Sequence, residues 1–140
     1  MSSKKYEAYK YLSYEDMRQK LKEISKKYPN FMTLTTAEDL YGIKHRVDCE
    51  NRKKCQVDIV TLTDKSKEGP KKQVFFSGAL HGDEVIGPNS VFYFIEYFLS
   101  NKNDTIQKHI LENIEIMMTP MTNAVGYFYK EREERLSESG

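Results

Sequence analysis

Residues 74–99 constrain the possible folds more than any other stretch of the chain. Val74-Phe75-Phe76 opens a short apolar run that closes at Gly78. A run of that length bounded by glycine predicts a strand buried on both faces. After a glycine-containing turn, Gly87-Pro88 opens a segment in which Val91, Phe92, Phe94, Ile95, Phe98 and Leu99 leave almost no polar face. Proline is tolerated in a first helical turn, because the N–H it lacks has no intrahelical partner there. A helix over residues 87–99 that is apolar nearly all round must lie against a sheet with neighbours on either side. A strand feeding such a helix selects an α/β layer arrangement.

The rest of the chain repeats the alternation. Ser13-Tyr14-Glu15-Asp16 has the form of a capping box, an acidic residue three places after a hydroxyl. Tyr14, Met17, Leu21, Ile24 and Tyr28 follow at helical spacing, and Pro29 ends the segment. Strands are predicted over residues 31–36 and 55–63, where Thr, Phe, Val and Ile suit a half-buried pleat. Residues 64–70 form a charged loop ending in Gly-Pro. A short helix over residues 106–111 leads into a fourth strand over residues 114–118. The fold class is α/β, a partial mixed sheet flanked by helices. No internal repeat or low-complexity linker divides it, and residues 130–140 are polar with no apolar period.

Composition narrows the function. The 140 residues carry 22 Lys+Arg against 21 Asp+Glu, a net charge of +1, which gives no support to a nucleic-acid partner. The most apolar run, residues 91–99, is far short of the roughly 20 residues a membrane helix needs, and Glu96 interrupts it. A membrane role is therefore not expected. The first residues contain no apolar core of a secretory signal. Ten Tyr and 7 Phe supply enough large apolar surface that disorder is not expected.

The sharpest chemical feature is Ser77-Gly78-Ala79-Leu80-His81-Gly82-Asp83-Glu84-Val85, which joins the predicted strand to the predicted helix. Open α/β sheets bind ligands beyond the carboxyl ends of their strands, where this turn lies. His81 offers an imidazole nitrogen and Glu84 a carboxylate three residues on, and Gly82 between them lets the backbone turn tightly. An imidazole and a carboxylate, completed by a second imidazole, make a catalytic zinc set with one position open for water. The plainer alternative is that His81 bonds a backbone carbonyl and Glu84 lies at the positive end of the following helix. A second feature, Thr119-Pro120-Met121-Thr122-Asn123-Ala124-Val125-Gly126-Tyr127, follows the fourth strand and would overhang the same crevice. Pro120 and Gly126 punctuate it, and Asn123 can close such a turn through its side chain. Taken alone, it is also what an ordinary strand-end turn looks like.

The two motifs in this order, SGALHGDE and then TPMTNAVGY, resemble the zinc carboxypeptidase family related to carboxypeptidase A. The opening YLSYEDMRQKLKEISKKYPN is similar to the first helix of such catalytic domains. The resemblance runs from Tyr11 to about Arg135. It implies the first half of a carboxypeptidase-like (phosphorylase/hydrolase-like) fold and hydrolysis of peptides with a free C-terminus. His81 and Glu84 match the first two zinc ligands. Asn123, Gly126 and Tyr127 match an architectural turn. Arg132 or Arg135 matches the arginine that stabilises the oxyanion, although KEREERLSE differs from the family's commoner Trp-Arg-Lys context. Asp83 stands where some members carry an arginine within the zinc motif.

The resemblance also implies parts that this sequence lacks. A third ligand, a histidine on a later strand, a glutamate general base and an Asn-Arg pair for the terminal carboxylate all follow in the family. Here the histidines are His45, His81 and His109, and neither His45 nor His109 sits where that ligand belongs. Asn51-Arg52 precedes the zinc motif. The expectation is that residues 1–140 are the amino-terminal part of one catalytic domain, binding zinc weakly and inactive alone. Strands central to a larger sheet would then become edges, exposing the apolar faces of Val74-Phe75-Phe76 and Ile114-Ile116 and favouring self-association. Two other functions remain open: an aspartoacylase or succinylglutamate desuccinylase type of zinc amidohydrolase, and a non-enzymatic binding protein built from a peptidase half-domain. The Asn123–Tyr127 turn and the Tyr-Pro-ended first helix favour the peptidase.

Cys49 and Cys55 flank a charged turn that can bring their ends together. A disulfide there would imply an oxidising compartment, secreted or vacuolar/lysosomal. Two reduced thiols in a cytosolic protein are the alternative.

Overall fold

A computed structural model describes residues 9–44 and 47–134. Ser13 starts the first helix as its sequence predicts, its Oγ accepting a hydrogen bond from Asp16 N at 3.0 Å. The elements run α1 (Tyr14–Lys27), β1 (Met32–Thr36), α2 (Ala37–Tyr41), β2 (Asp58–Leu62), β3 (Lys72–Ser77), α3 (Ile86–Ser100), α4 (Thr105–Asn113), β4 (Ile114–Thr119) and α5 (Ala124–Tyr129). The four strands form one mixed sheet in the order β1-β2-β4-β3. β2 is antiparallel to both its neighbours, with Val60 opposite Leu34 on one side and Met118 on the other. β3 runs parallel to β4 in a six-residue register from Lys72–Ile114 to Ser77–Thr119. A parallel pair needs a crossover, and the chain makes it through α3 and α4.

The core is where the predicted periodicities meet. Met17, Leu21, Val60, Leu62, Phe92, Ile95, Leu99 and Met118 are fully buried in one cluster that joins α1, the sheet and α3. Each such side chain contributes roughly 1.5–3 kcal/mol relative to an exposed position. Beneath α1, Arg18 reaches Asp58 with two guanidinium nitrogens, Nε to Oδ2 at 2.8 Å and Nη2 to Oδ1 at 3.1 Å. The same side chain donates to Gln56 Oε1 and to the Tyr14 hydroxyl, whose oxygen also accepts from Gln56 N. Burial pushes the Asp58 carboxyl above its ordinary range, and Arg18 offsets part of that push.

Several expectations are corrected. β3 is not buried on both faces: Val74, Phe75 and Phe76 are 39%, 58% and 44% exposed. The strand lies at the sheet edge, and β4 is its neighbour in the sheet. The converse error concerns β4, which lies inside the sheet between β2 and β3, so Ile116 is buried instead of forming an open face. α3 is likewise covered unequally. Phe92, Ile95, Phe98 and Leu99 are buried, but Tyr97 is 60% exposed, and Phe94 turns outward towards the Phe76 ring, 6.1 Å away between centroids.

Two short helices escaped sequence periodicity because neither is long enough to show one. α2 is capped by Thr36 Oγ1, which accepts from Asp39 N, and ends at Gly42 with φ 67°. α5 occupies what reads in sequence as a turn.

The cysteines are joined as a Cys49–Cys55 disulfide with Cα atoms 4.9 Å apart. Backbone hydrogen bonds from Cys49 N to Lys53 O and from Cys55 N to Val47 O close the loop around it. Asn51 and Arg52 turn the chain with φ of 50° and 60°. The structural pairing favours the disulfide reading over two free thiols. Among the described residues, no helix is long and apolar enough to cross a membrane.

Candidate metal centre

The carboxyl ends of β3 and β4 lie side by side because the two strands are parallel, and both motifs leave the sheet there. The ladder continues into the loops: Gly78 N donates to Thr119 O at 2.9 Å, and Asn123 N to Ala79 O at 2.8 Å. The first turn is then pressed against α5. A Cβ on Gly82 would overlap the backbone of Gly126 and the carbonyl of Glu131, so close approach requires glycine at this position. Asn123 closes the second motif as its residue type predicts. Its Oδ1 accepts from Gly126 N at 2.8 Å and caps α5.

His81 and Glu84 meet. His81 Nδ1 lies 3.2 Å from Glu84 Oε1, with the two side chains 35% and 58% exposed. The Glu84 carboxylate therefore faces the imidazole, and α3 begins with Val85 as its N-cap and no side-chain cap hydrogen bond. Arg132 joins the pair: its Nη1 donates to Glu84 Oε1 at 3.2 Å and lies 3.7 Å from Asp83 Oδ1. The Arg132 backbone is fixed independently of its side chain. Its carbonyl accepts from Gly82 N at 3.1 Å and from Asn123 Nδ2 at 3.3 Å. The two motifs and the arginine are thus one hydrogen-bonded unit, opening on a groove lined by Leu80, His81, Thr122, Asn123, Arg132 and Glu133.

An imidazole nitrogen and a carboxylate oxygen facing each other at an exposed turn suit a borderline-soft divalent cation such as zinc, and they supply two donors. Among the described residues, no group of three or more His, Cys, Asp or Glu side chains is arranged to hold a metal. His109 lies exposed on α4, and His45 and Arg135 lie outside the described residues.

One supporting residue was not singled out from sequence. Asn89, buried on α3, accepts from Leu12 N through Oδ1 at 2.8 Å. Its Nδ2 donates to Val85 O at 2.7 Å and to the Tyr127 hydroxyl at 3.0 Å. Tyr127 in turn donates to Leu12 O at 2.6 Å. This buried knot ties Val85, the N-cap of α3 and the residue after Glu84, to α5 and to the segment before α1. The available signal was an asparagine in the first turns of a largely apolar helix. Burial raises the Tyr127 hydroxyl above its ordinary pKa, with the Asn89 hydrogen bond opposing.

The fold and this turn define an α/β protein with a four-stranded mixed sheet, carrying an H-x-x-E pair at a strand-to-helix junction. The sequence profile described as Zinc carboxypeptidase matches residues 17–140, and the chain belongs to that family. Carboxypeptidase B from Astacus astacus is 28% identical over 127 residues, covering 90% of this chain and 37% of that protein. Among solved structures, thrombin activatable fibrinolysis inhibitor superposes with a TM-score of 0.73 at 18% identity, covering 99% of this chain and 33% of the other. Carboxypeptidase A from Helicoverpa armigera gives a TM-score of 0.64 at 18% identity, with coverages of 94% and 30%. At such identities the structural likenesses establish the fold. The chain spans about a third of the length of these relatives.

Proposed function

We propose that this chain is the amino-terminal part of the catalytic domain of a zinc-dependent metallocarboxypeptidase, which removes C-terminal residues from peptides. The observation that carries the reading is the approach of His81 Nδ1 to Glu84 Oε1 on a strand-to-helix turn, in a chain that belongs to the zinc carboxypeptidase family. His81 and Glu84 would hold the metal, His81 as a neutral imidazole and Glu84 as a carboxylate. Zinc in such a site lowers the pKa of a bound water and polarises the scissile carbonyl. Arg132, fixed through its carbonyl and carrying its guanidinium beside Glu84, is the residue that would stabilise charge on the tetrahedral oxyanion. Arg135 is the alternative for that role. Among the described residues no third His, Cys, Asp or Glu joins His81 and Glu84, and on this reading the chain alone is expected to bind zinc weakly and to hydrolyse peptides negligibly.

Calorimetry with zinc chloride tests the ligand assignment. Weak binding to the 140-residue chain should fall roughly tenfold or more in His81→Ala, a loss at least as large as that of an outer-shell partner. Binding unchanged by that substitution would overturn the assignment. Tight stoichiometric binding lost in His81→Ala would instead place a third ligand within the chain.

The open edge of β3 supports a second part of this reading, self-association of the isolated chain. An edge that no other strand pairs among the described residues, carrying Val74, Phe75 and Phe76, is a template for another strand. Light scattering across the micromolar range should show mass rising with concentration, and monodisperse monomer would count against it. The Cys49–Cys55 disulfide supports an oxidising compartment, secreted or vacuolar/lysosomal.

A further inference from the structure

We propose that Asn103 is an N-glycosylation site, the acceptor for an oligosaccharide transferred in the lumen of a secretory compartment. Asn103-Asp104-Thr105 is an asparagine followed two places on by threonine with no intervening proline. Of the seven asparagines in the chain, Asn103 alone has Ser or Thr at that offset. A tripeptide match is a weak signal by itself, and what raises this one is its placement.

Residues 101–104 form the exposed turn between α3 and α4. The turn is closed by a hydrogen bond from Asp104 N to Asn101 O at 2.9 Å, so the tripeptide bulges from the surface and is not part of a ladder. Asn103 is exposed, and its Oδ1 accepts a hydrogen bond from Lys102 Nζ at 3.2 Å. Its Nδ2, the atom to be modified, makes no hydrogen bond among the described residues. Thr105 is exposed at the first position of α4, and Asp104 before it is extended, with φ −68° and ψ 147°. A glycan at Asn103 displaces no core contact. It would also leave the candidate metal centre open, because the 15 residues of α3 separate the two ends. At 1.5 Å per residue that is about 22 Å.

The second, independent observation is the Cys49–Cys55 disulfide, which belongs to the kind of compartment where this modification is made. The proposal rests on that compartment reading. In the transfer, the Asn103 amide nitrogen forms a C–N bond to the anomeric carbon of an N-acetylglucosamine at the reducing end of a lipid-linked oligosaccharide. The anomeric C–O bond breaks and the polyisoprenyl diphosphate leaves with its electron pair. The amide nitrogen gives up one proton to a base of the transferase.

The test directs the full chain to the secretory lumen of a eukaryotic cell and examines both secreted and retained protein. The wild type should migrate as a heavier species that collapses on treatment with peptide-N-glycosidase, with the residue at position 103 left as an aspartate by peptide mass spectrometry. Asn103→Gln and Thr105→Ala should each remove the whole shift, and Thr105→Ser should retain it at least in part. Chain that has formed its disulfide but is unmodified at Asn103 would overturn the site. Free thiols at Cys49 and Cys55 in protein isolated from its native source would overturn the compartment reading separately.

Discussion

Replacing Gly82 with alanine is expected to destabilise the chain by about 3 kcal/mol, at the upper end of what overpacking typically costs. The reason is what the new methyl group would meet. It would fall on the backbone of Gly126 and on the Glu131 carbonyl, neither of which can rotate away as a flexible side chain does. Relief requires the turn and α5 to separate. That movement would lengthen the hydrogen bond from Gly82 N to Arg132 O and draw His81 and Glu84 away from Arg132. Denaturant unfolding should show a lower midpoint with an unchanged m-value, because the surface exposed on unfolding is nearly the same. The variant should also lose whatever zinc affinity the wild type has. Asp83→Asn, next in sequence but exposed, serves as the control and should alter stability by less than about 0.5 kcal/mol. A loss below 1 kcal/mol in Gly82→Ala would show that the two motifs are not packed as rigidly as the close approach indicates.

Arg18→Ala is the second large effect, expected near 3 kcal/mol at neutral pH. The Asp58 side chain is 3% exposed and Arg18 15%, so deleting the guanidinium strands a carboxylate where water does not readily reach it. It also removes the donor to Gln56 Oε1 and a neighbour of the Tyr14 hydroxyl. The pH dependence follows from the direction of the Asp58 shift. Burial already raises the carboxyl above its ordinary 3.8, and without Arg18 nothing comparable opposes that push. Between 3.8 and the raised folded value, the native state holds a proton that the unfolded state has released. Stability therefore falls as pH rises through that window, and more steeply in the variant. The deficit of Arg18→Ala should shrink as the solution is acidified into the range where Asp58 protonates. Arg18→Met combined with Asp58→Leu should recover most of the loss, since an apolar pair of similar bulk needs no compensation. A deficit that is constant from pH 4 to pH 8 would show that the carboxylate is not what makes the single substitution costly.

Much of the fold follows from local pattern. The boundaries of α1 and α3 are within about a residue of those expected from Ser13, Pro29 and Pro88, because caps and breakers act on neighbouring backbone. β1 and β4 are found where β-branched and aromatic residues cluster. The second strand is shorter than expected, since Cys55 is committed to the disulfide loop. The H-x-x-E pair and the Asn123 turn were legible because their spacing is short, and parallel strands carry the two motifs to the same end of the sheet. The Arg18–Asp58 pair and the Asn89–Tyr127–Leu12 knot were not, because their partners lie tens of residues apart and share no period.

The sequence by itself determined the α/β alternation, the one-sided apolar stripe of α1 and the positions of His81 and Glu84 relative to one another. These depend on the rise and turn of the backbone over a few residues. Tertiary structure alone decided that β3 is an edge and β4 an interior strand. It also decided that Gly82 touches Gly126, and that Arg132 is pinned beside Glu84 by its own carbonyl. An apolar run such as Val74-Phe75-Phe76 records that a surface is fit to be covered; whether something covers it depends on which strands pair alongside, and that is fixed only when distant segments pack.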